Sequence, residues 1–488
     1  MIETDLTAPT HQAAYARNPR RWLALAVICA GELMIVLDGT IVTVALPQIK
    51  EGLGFGATGL AWTLNAYLLT FGGLLLLAGR AADLIGPRRL FIGGLGIFTV
   101  ASLICGIATE PWMLVSARAL QGVGGAIITA VALALLVINF PEPRERAKAM
   151  GIWTFVAAGG GSVGVTLGGV LTDALDWRWI FLVNLPVGVG AIAMTLRSLA
   201  PDTRTGGGRL DVAGAVLATG ASTSLVAAFV GVQDAGWASG RTIGLLAAAV
   251  VLVAIFVVVE RRVAHPLLPA GIFRSRNLNA GCAVSVLTII GLFGWFFIGT
   301  LYLQQVLGKD PLETGLTFLP ATLLLGAMSM GPSAKLVRRF GPKPPLVGGT
   351  VLTVIGLALM ARAPVDGRIM VDIMPAMLLI GIGIGTSFMP LFLLALSEVP
   401  EAEAGVSSGV LTTSQQIGGA LGIAILVAIA AARTDAVGGD AAAALNAGYH
   451  AALWCGAVLA LAAIPVALWA FRGGRDVAGG SDGDGAMH

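Results

Sequence analysis

Residues 22–46 read WLALAVICAGELMIVLDGTIVTVAL, an apolar stretch with only two charged side chains, Glu32 and Asp38. About 20 apolar residues in a helix cross the ~30 Å hydrocarbon core of a bilayer, so this stretch is long enough to span one. Inside that core the backbone amides and carbonyls must be bonded to each other, which a helix achieves within one segment. The stretch therefore predicts a membrane-spanning helix.

The same kind of stretch recurs along the chain. Of 488 residues, 56% are hydrophobic and 12% are charged, whereas about a quarter are charged in soluble domains. We predict fourteen spans, at 22–46, 57–78, 90–108, 112–139, 151–172, 180–200, 211–231, 242–259, 279–306, 314–333, 345–361, 371–397, 406–432 and 448–471. The predicted fold class is an all-α polytopic membrane protein in the cell membrane.

Positive charges predict the orientation of these spans. Lys and Arg concentrate in alternate loops, as at Arg88 and Arg89 or at Arg144, Arg146 and Lys148. Such loops normally lie in the cytoplasm, which places both termini there and agrees with an even number of spans. We expect the polar tails, 1–21 and 472–488, to be disordered.

A short motif occurs twice. Gly86-Pro87-Arg88 recurs as Gly341-Pro342-Lys343, each followed by a pair of glycines at the same offset. Duplicated halves around a central binding site are the usual plan of alternating-access carriers. We therefore predict six-helix bundles at 22–200 and 277–471, with a linker at 201–276 that holds two inserted spans.

Three ionisable groups lie well inside predicted spans: Glu32, Asp38 and Arg118. A charge at the centre of a span costs at least ~2.5–3.5 kcal/mol, so it usually faces a cavity or a partner. At about 1.5 Å per residue from the outer edge, Asp38 lies ~12 Å deep, Arg118 ~9 Å and Glu32 ~21 Å. Asp38 and Arg118 are therefore predicted at one level.

Two interpretations of this pair stay open. It is either a structural ion pair that determines helix packing, or a proton site whose acid loads and releases a proton as a cavity opens and closes. In the second interpretation Glu32, near the bilayer centre, exchanges its proton for a cationic substrate. Asp38, Arg118 and Glu32 are our candidate proton-coupling residues.

Glycines at four-residue spacing, Gly160, Gly164 and Gly168, together with Gly169, leave one side of span five without side chains. Such a surface lets another helix approach closely. It provides either ordinary helix packing or a seal that controls which side the cavity opens to. In the loop after span two, Asp83 can accept hydrogen bonds from the first amides of a neighbouring helix.

These segments carry a family resemblance. Residues 37–47 (LDGTIVTVALP), 79–89 (GRAADLIGPRR), 118–122 (RALQG) and the span-five glycines resemble motifs of the fourteen-span drug:proton antiporters of the major facilitator superfamily. The resemblance implies the major facilitator fold, proton-coupled export of small lipophilic or cationic drugs or toxic metabolites, and a proton role for Arg118. It also implies conformational roles for Gly79, Asp83, Gly86 and Arg88.

Residues for the substrate cavity are harder to assign. Polar or aromatic side chains near mid-depth are candidates, although lipid-facing or packing roles are at least as common for any one of them. The candidates are Asn65, Gln121, Trp295, Phe296, Gln415 and Gln416.

Absences narrow the function further. The sequence has no GxxxxGK[ST] phosphate-binding loop and its four histidines are scattered, which argues against an ATP-driven pump, a membrane enzyme or a metal site. A net charge of +3 offers no basic field for nucleic acid. We expect a monomer without cofactor, powered by the proton motive force, whose partners are a small molecule, protons and lipid. The open alternative is a dedicated exporter of one endogenous metabolite or antibiotic, or an importer.

Overall fold

The computed structural model describes residues 20–140, 142–199, 202, 211–263, 266–267, 271–399, 404–438 and 440–471. Within these ranges the regular secondary structure is helical throughout. The predicted tails lie outside the described residues except for Arg20 and Arg21.

Fourteen long helices, α1 to α14 in chain order, account for most of the described residues, and short helices also occur at Ala57–Leu60 and Pro332–Phe340. The long helices are Arg21–Leu53, Trp62–Ile85, Pro87–Gly106, Pro111–Asn139, Pro143–Ala174, Trp179–Ser198, Val212–Ala235, Gly240–Glu260, Arg276–Val306, Pro311–Met330, Lys343–Met360, Ile369–Leu396, Ala404–Val437 and Ala441–Ala470. A turn at Val183 interrupts α6, and α9 ends in a π-helical turn, Tyr302–Val306.

Thirteen of these helices are long and apolar enough to cross a membrane. The remaining helix, α5, contains the predicted span 151–172, but only the shorter stretch Val163–Ala174 is recognised as apolar among its described residues. Its first turn carries Glu145, in an ion pair with Arg21 at 2.7 Å. The difference from the predicted fourteen spans therefore concerns α5 alone, several of whose side chains between 151 and 162 lie outside the described residues.

Local sequence explains where several helices begin. Pro87, Pro111 and Pro311 stand in the first turn of α3, α4 and α10, where the missing amide hydrogen is not needed. Side-chain oxygens of Asp211 and Ser239 cap α7 and α8 by accepting an amide of the first turn.

The helices pack as two similar bundles. In the first, α1 contacts α4, α5 and α6, while α3 contacts α4 and α6. In the second, α9 contacts α12, α13 and α14, while α11 contacts α12 and α14, which is the same pattern eight helices later. The predicted fold of two six-helix bundles plus an inserted pair is confirmed. The bundles meet where α5 packs on α10 and α2 on α13.

The inserted helices α7 and α8 lie on one side of this seam. α7 contacts both α2 and α13, while α8 packs mainly on α7. Only 11% of the apolar stretch of α8 is buried inside the protein, the smallest share among the thirteen helices long and apolar enough to cross a membrane. This surface suits contact with lipid tails, whereas α7 bridges the two bundles.

We call the face on which α1 begins the near face and the opposite one the far face. At the near face of the first bundle, two arginines close the end of α6. Arg20 donates to the carbonyl oxygen of Arg197 at 2.8 Å, and Arg88 donates to that of Leu196 at 3.0 Å. Cations at a helix C-terminus satisfy free carbonyls and complement the helix dipole.

The second bundle has the same arrangement. Arg276, at the start of α9, donates to the carbonyl oxygen of Trp469 at 2.9 Å, and Lys343 donates to that of Leu468 at 2.5 Å. These bases close the end of α14 as the first pair closes α6. The duplicated Gly-Pro-basic motif therefore contributes the same helix-end contact to each bundle.

Candidate functional site

Asp38 of α1 and Arg118 of α4 form an ion pair in the interior of the first bundle. Both side chains are 0% exposed. The prediction that helix rise brings them to one level is confirmed by this contact. The amide of Asn184, where α6 resumes, also donates to Asp38 Oδ1 at 3.4 Å.

Gln121 connects this acid and base. Its Nε2 donates to Asp38 Oδ1 at 3.0 Å and to Ser102 Oγ at 2.8 Å, while its Oε1 accepts from Arg118 Nη1 at 2.7 Å and from Cys105 Sγ at 3.3 Å. Both amide hydrogens and both oxygen lone pairs are thereby used. We expected Gln121 in the substrate cavity, but the structure places it fully buried in the ion-pair cluster.

The guanidinium of Arg118 has further contacts on α2. Its Nε donates to the carbonyl oxygen of Thr63 at 2.9 Å, and its carbon lies 4.5 Å from the centre of the Tyr67 ring. A cation over an aromatic face is stabilised when water is excluded. The ring centre of Phe181, in the first part of α6, lies 5.8 Å from the same guanidinium carbon and makes a second contact of this kind.

Five helices thus contribute to the ion-pair cluster, which we define as Asp38, Arg118, Gln121, Ser102 and Asn184 together with their contacts on α2. The polar groups that reach Asp38 are all donors. A buried charge is tolerated only when it is paired and hydrogen-bonded. This arrangement can hold an ionised carboxylate away from water.

Several members of this cluster were missed by the sequence analysis. Ser102, Thr63 and Tyr67 are ordinary residues of apolar helices and carry no separate signal. Asn184 lies at the start of the second part of α6, and the sequence analysis gave it no role.

Glu32 lies in α1 on the near-face side of Asp38. It is 7% exposed, and its Oε2 has no hydrogen-bond partner among the described residues. The side-chain amide of Asn65 and the hydroxyl of Tyr67, both on α2, are likewise buried without a hydrogen-bond partner among the described residues. These are buried polar atoms that a ligand or water can satisfy.

Trp295 is enclosed in the second bundle. Its ring lies 4.5 Å from that of Phe296 and 5.3 Å from that of Phe318, while the two phenylalanine rings stack at 5.4 Å. Trp295 is fully buried and Phe296 is half-buried. The structure therefore places Trp295 in the core of its bundle and leaves Phe296 as the more accessible aromatic side chain.

Gln415 and Gln416 are half-buried on α13. A Cβ atom added at Gly72 of α2 would lie 2.7 Å from Cβ of Gln416. Gln416 therefore stands at the contact between the two bundles.

The span-five glycines face two different helices. A Cβ added at Gly160 or Gly168 would meet α1, at 3.1 Å from Val36 Cγ1 or 2.8 Å from the Ile41 carbonyl oxygen, and Gly164 also faces α1. One added at Gly169 would meet α10 of the other bundle. Most of the glycine surface therefore packs inside the first bundle, and Gly169 reaches the seam.

The far ends of the bundles touch at two more places. A Cβ added at Gly315 of α10 would lie 2.7 Å from the carbonyl oxygen of Val165. Gln304, in the π-helical turn of α9, donates to the carbonyl oxygen of Val44 in α1 at 2.7 Å. π-Turns inside α-helices often occur at functional positions. The far face is therefore closed by contacts between the bundles.

The near-face loop after α2 has a different partner from the one we expected. Gly86 has φ +101°, which favours glycine, and the side chain of Asp202 occupies the space where a Cβ would stand. Asp202 accepts hydrogen bonds from the amides of Arg88 and Arg89, both at 2.9 Å, and so caps α3. The side chain of Asp83 is outside the described part. Gly79 has open space around its Cα among the described residues.

No group of three or more His, Cys, Asp or Glu side chains suited to a metal ion occurs in the described ranges.

Comparison with known proteins identifies the family. Residues 28–423 match the Major Facilitator Superfamily. The puromycin resistance protein pur8 of Streptomyces alboniger is 42% identical over 88% of this chain and 86% of that protein. The cephamycin export protein CmcT of Amycolatopsis lactamdurans is 36% identical over 84% and 85%. The multidrug resistance protein Stp of Mycobacterium tuberculosis is 34% identical over 85% and 77%.

Solved structures show the same fold. A bacterial homologue of the lysosomal transporter Spinster superposes with a TM-score of 0.66 over 93% of this chain and 97% of that one, at 14% identity. The xylose transporter XylE of E. coli gives a TM-score of 0.62 with the same coverage and identity. The chain is a multi-pass protein of the cell membrane and a transporter, not an enzyme. It belongs to the Major Facilitator Superfamily.

Proposed function

We propose that this transporter is a proton-driven antiporter that exports small lipophilic drugs or toxic metabolites, cationic ones among them. Relatives named for resistance to puromycin, for cephamycin export and for multidrug resistance support the direction and the class of substrate. We further propose that the near face is cytoplasmic, that the protein works as a monomer, and that it needs no cofactor.

The observation that carries the proposal is the buried pair of Asp38 and Arg118. An ion pair at 0% exposure is costly to keep, and hydrophobic residues of similar volume often replace such pairs without loss of stability. Its five-helix shell supplies donors for the charged form of Asp38. A change in helix packing that removes donors lets the acid take up a proton, and restoring them expels it.

Glu32 supplies the second half of the exchange. Because Glu32 is 7% exposed and its Oε2 has no hydrogen-bond partner among the described residues, the neutral acid is favoured when no substrate is bound. A cationic substrate beside it favours the ionised carboxylate. One proton is then exchanged for one positive charge, and no net charge is left buried. Because this one-for-one exchange moves no net charge across the membrane, the pH difference drives it, and each pH unit is worth about 1.4 kcal/mol, roughly a tenfold substrate gradient.

Transport of puromycin into liposomes that contain the purified protein tests this proposal. Under an imposed pH gradient we expect accumulation by the unaltered protein and none by Asp38→Asn, which keeps the shape but removes the titratable proton. Asp176→Asn is the matched control, since Asp176 pairs with Arg178 but is 47% exposed. Equal accumulation by the Asp38 and Asp176 variants would refute proton coupling at Asp38.

A dedicated exporter of one compound is the second candidate, supported by relatives named for single antibiotics. Competition for transport distinguishes a multidrug exporter from a dedicated one. Inhibition of puromycin transport by ethidium, a lipophilic cation, favours a multidrug site, and inhibition by close analogues alone favours a dedicated one.

A further inference from the structure

The orientation of the Gln121 amide is determined by a serine on another helix. Ser102 of α3 is fully buried, and its hydroxyl donates to the carbonyl oxygen of Phe98 at 2.8 Å. A serine hydroxyl has one hydrogen, so after this bond its oxygen can only accept. The group that lies 2.8 Å from it, the end of the Gln121 side chain, must therefore be the NH₂ group.

This orientation decides what Gln121 offers to the ion pair. With its NH₂ group towards Ser102, the amide gives its second hydrogen to Asp38 and turns its oxygen to Arg118. The reverse orientation would place an oxygen against the oxygen of Asp38 and an NH₂ group against the guanidinium. Neither contact forms a hydrogen bond while Asp38 is ionised.

We propose that Ser102 is a positioning residue of the proton site, which holds Gln121 in the orientation that favours ionised Asp38. The inference rests on the proton coupling proposed above. Because the neighbours Arg118, Gln121 and Asn184 all donate to Asp38, a protonated carboxyl finds no acceptor for its own hydrogen. Gln121 supplies that acceptor only after its amide turns over, and Ser102 can then bond the amide oxygen only by taking its hydrogen away from the carbonyl oxygen of Phe98.

Turning the amide also releases the base. A guanidinium can only donate, so Arg118 loses its bond to Gln121 when the amide oxygen turns to Asp38. Proton uptake by Asp38 is thereby tied to release of Arg118, and Ser102 opposes both. The other titratable groups around the pair are Tyr67 on α2, Cys105 on α3 and Glu32 on α1.

Infrared difference spectra of the purified protein test this without substrate. The band of the protonated carboxyl group is assigned to Asp38 by its loss in Asp38→Asn. In Ser102→Ala, we expect the midpoint of Asp38 protonation to move to higher pH by about one pH unit, the equivalent of one hydrogen bond to an ionised group. Ser102→Thr keeps the hydroxyl and should restore the original midpoint.

Two further variants separate positioning from packing. Thr99→Val removes the same kind of hydroxyl bond one turn away, to the carbonyl oxygen of Leu95, and should leave the midpoint unchanged. Gln121→Leu should raise the midpoint by itself, which tests the argument even if Ser102→Ala does not fold. Adding Ser102→Ala to Gln121→Leu should give no further shift, since the serine acts through the amide.

The infrared experiment and the transport experiment can fail independently of each other. An unchanged midpoint in Ser102→Ala, or an equal shift with and without Gln121, would overturn the positioning role. Absence of puromycin transport by the unaltered protein would refute the proposed function and leave the spectra interpretable.

Discussion

Substitution of Gly169 should open the far face. A Cβ atom at this position would lie 2.5 Å from the carbonyl oxygen of Pro311 and 2.9 Å from Cα of Leu312. Both are backbone atoms of α10, so no side chain can rotate away to make room. Overpacking of this kind costs about 1–3 kcal/mol, and here it is removed when the bundles separate.

The cost therefore acts on the balance between conformations. An energy of about 1–3 kcal/mol shifts an equilibrium by roughly 5–150-fold, and Gly169→Ala should favour the state open at the far face. Gly168→Ala meets Ile41 within the first bundle, at 2.8 Å from its carbonyl oxygen, and should lower stability without this shift. Gly161→Ala is the control, since its Cβ would meet Thr40 at an ordinary 3.9 Å.

Spin labels at Leu175 and Lys309, which follow α5 and precede α10, report the separation of the far ends. We expect double electron–electron resonance to show a larger population with a long distance between the two labels for Gly169→Ala than for the other two variants. If all three variants gave the distance distribution of the unaltered protein, the contact of Gly169 with α10 would not contribute to far-face closure.

Three other expectations each concern a single side chain. Glu32→Gln should impair export of cationic compounds far more than export of neutral ones in the liposome assay. The control Glu145→Gln, at the near face, should impair export of neither class. Equal loss of export for both classes in Glu32→Gln would instead place Glu32 on the common proton path. Gln304→Leu removes a hydrogen bond worth about 0.5–1.5 kcal/mol and should increase the far-face-open population a few-fold in the same spin-label measurement, whereas an unchanged population would show that this bond does not hold the face closed. Arg88→Met should lower the free energy of unfolding by about 0.3–1 kcal/mol, measured by thermal unfolding in detergent, and an equal loss in Arg89→Met would contradict a specific role at the end of α6.

The ion pair shows how far local reasoning reaches. Helix rise places Asp38 and Arg118 at one depth because distance along a helix depends only on residue number. Their contact follows, since each is costly in lipid alone. The partners that complete the cluster, Ser102 and Asn184, come from α3 and α6 and could not be assigned in this way.

For Gln121 and Trp295, the direction in which the side chain points could not be predicted from the sequence. Both were expected in the substrate cavity from residue type and depth, but both lie fully buried within their bundles. The direction of a side chain around its helix depends on how that helix is rotated against its neighbours. The same applies to Gly168 and Gly169, which are adjacent in sequence but face α1 and α10.

The apolar stretches and the short repeat were enough to predict a polytopic helical membrane protein of two similar halves, and the charges inside those stretches singled out Glu32, Asp38 and Arg118. Hydrophobicity, helix rise and short repeats are local properties, so each segment carries them alone. The packed helices were needed to see that Gln121 links the acid to the base, that Ser102 contacts its amide, and that Gly169 and Gln304 join the far ends. Those facts depend on contacts between segments far apart in the chain, which form when the helices pack.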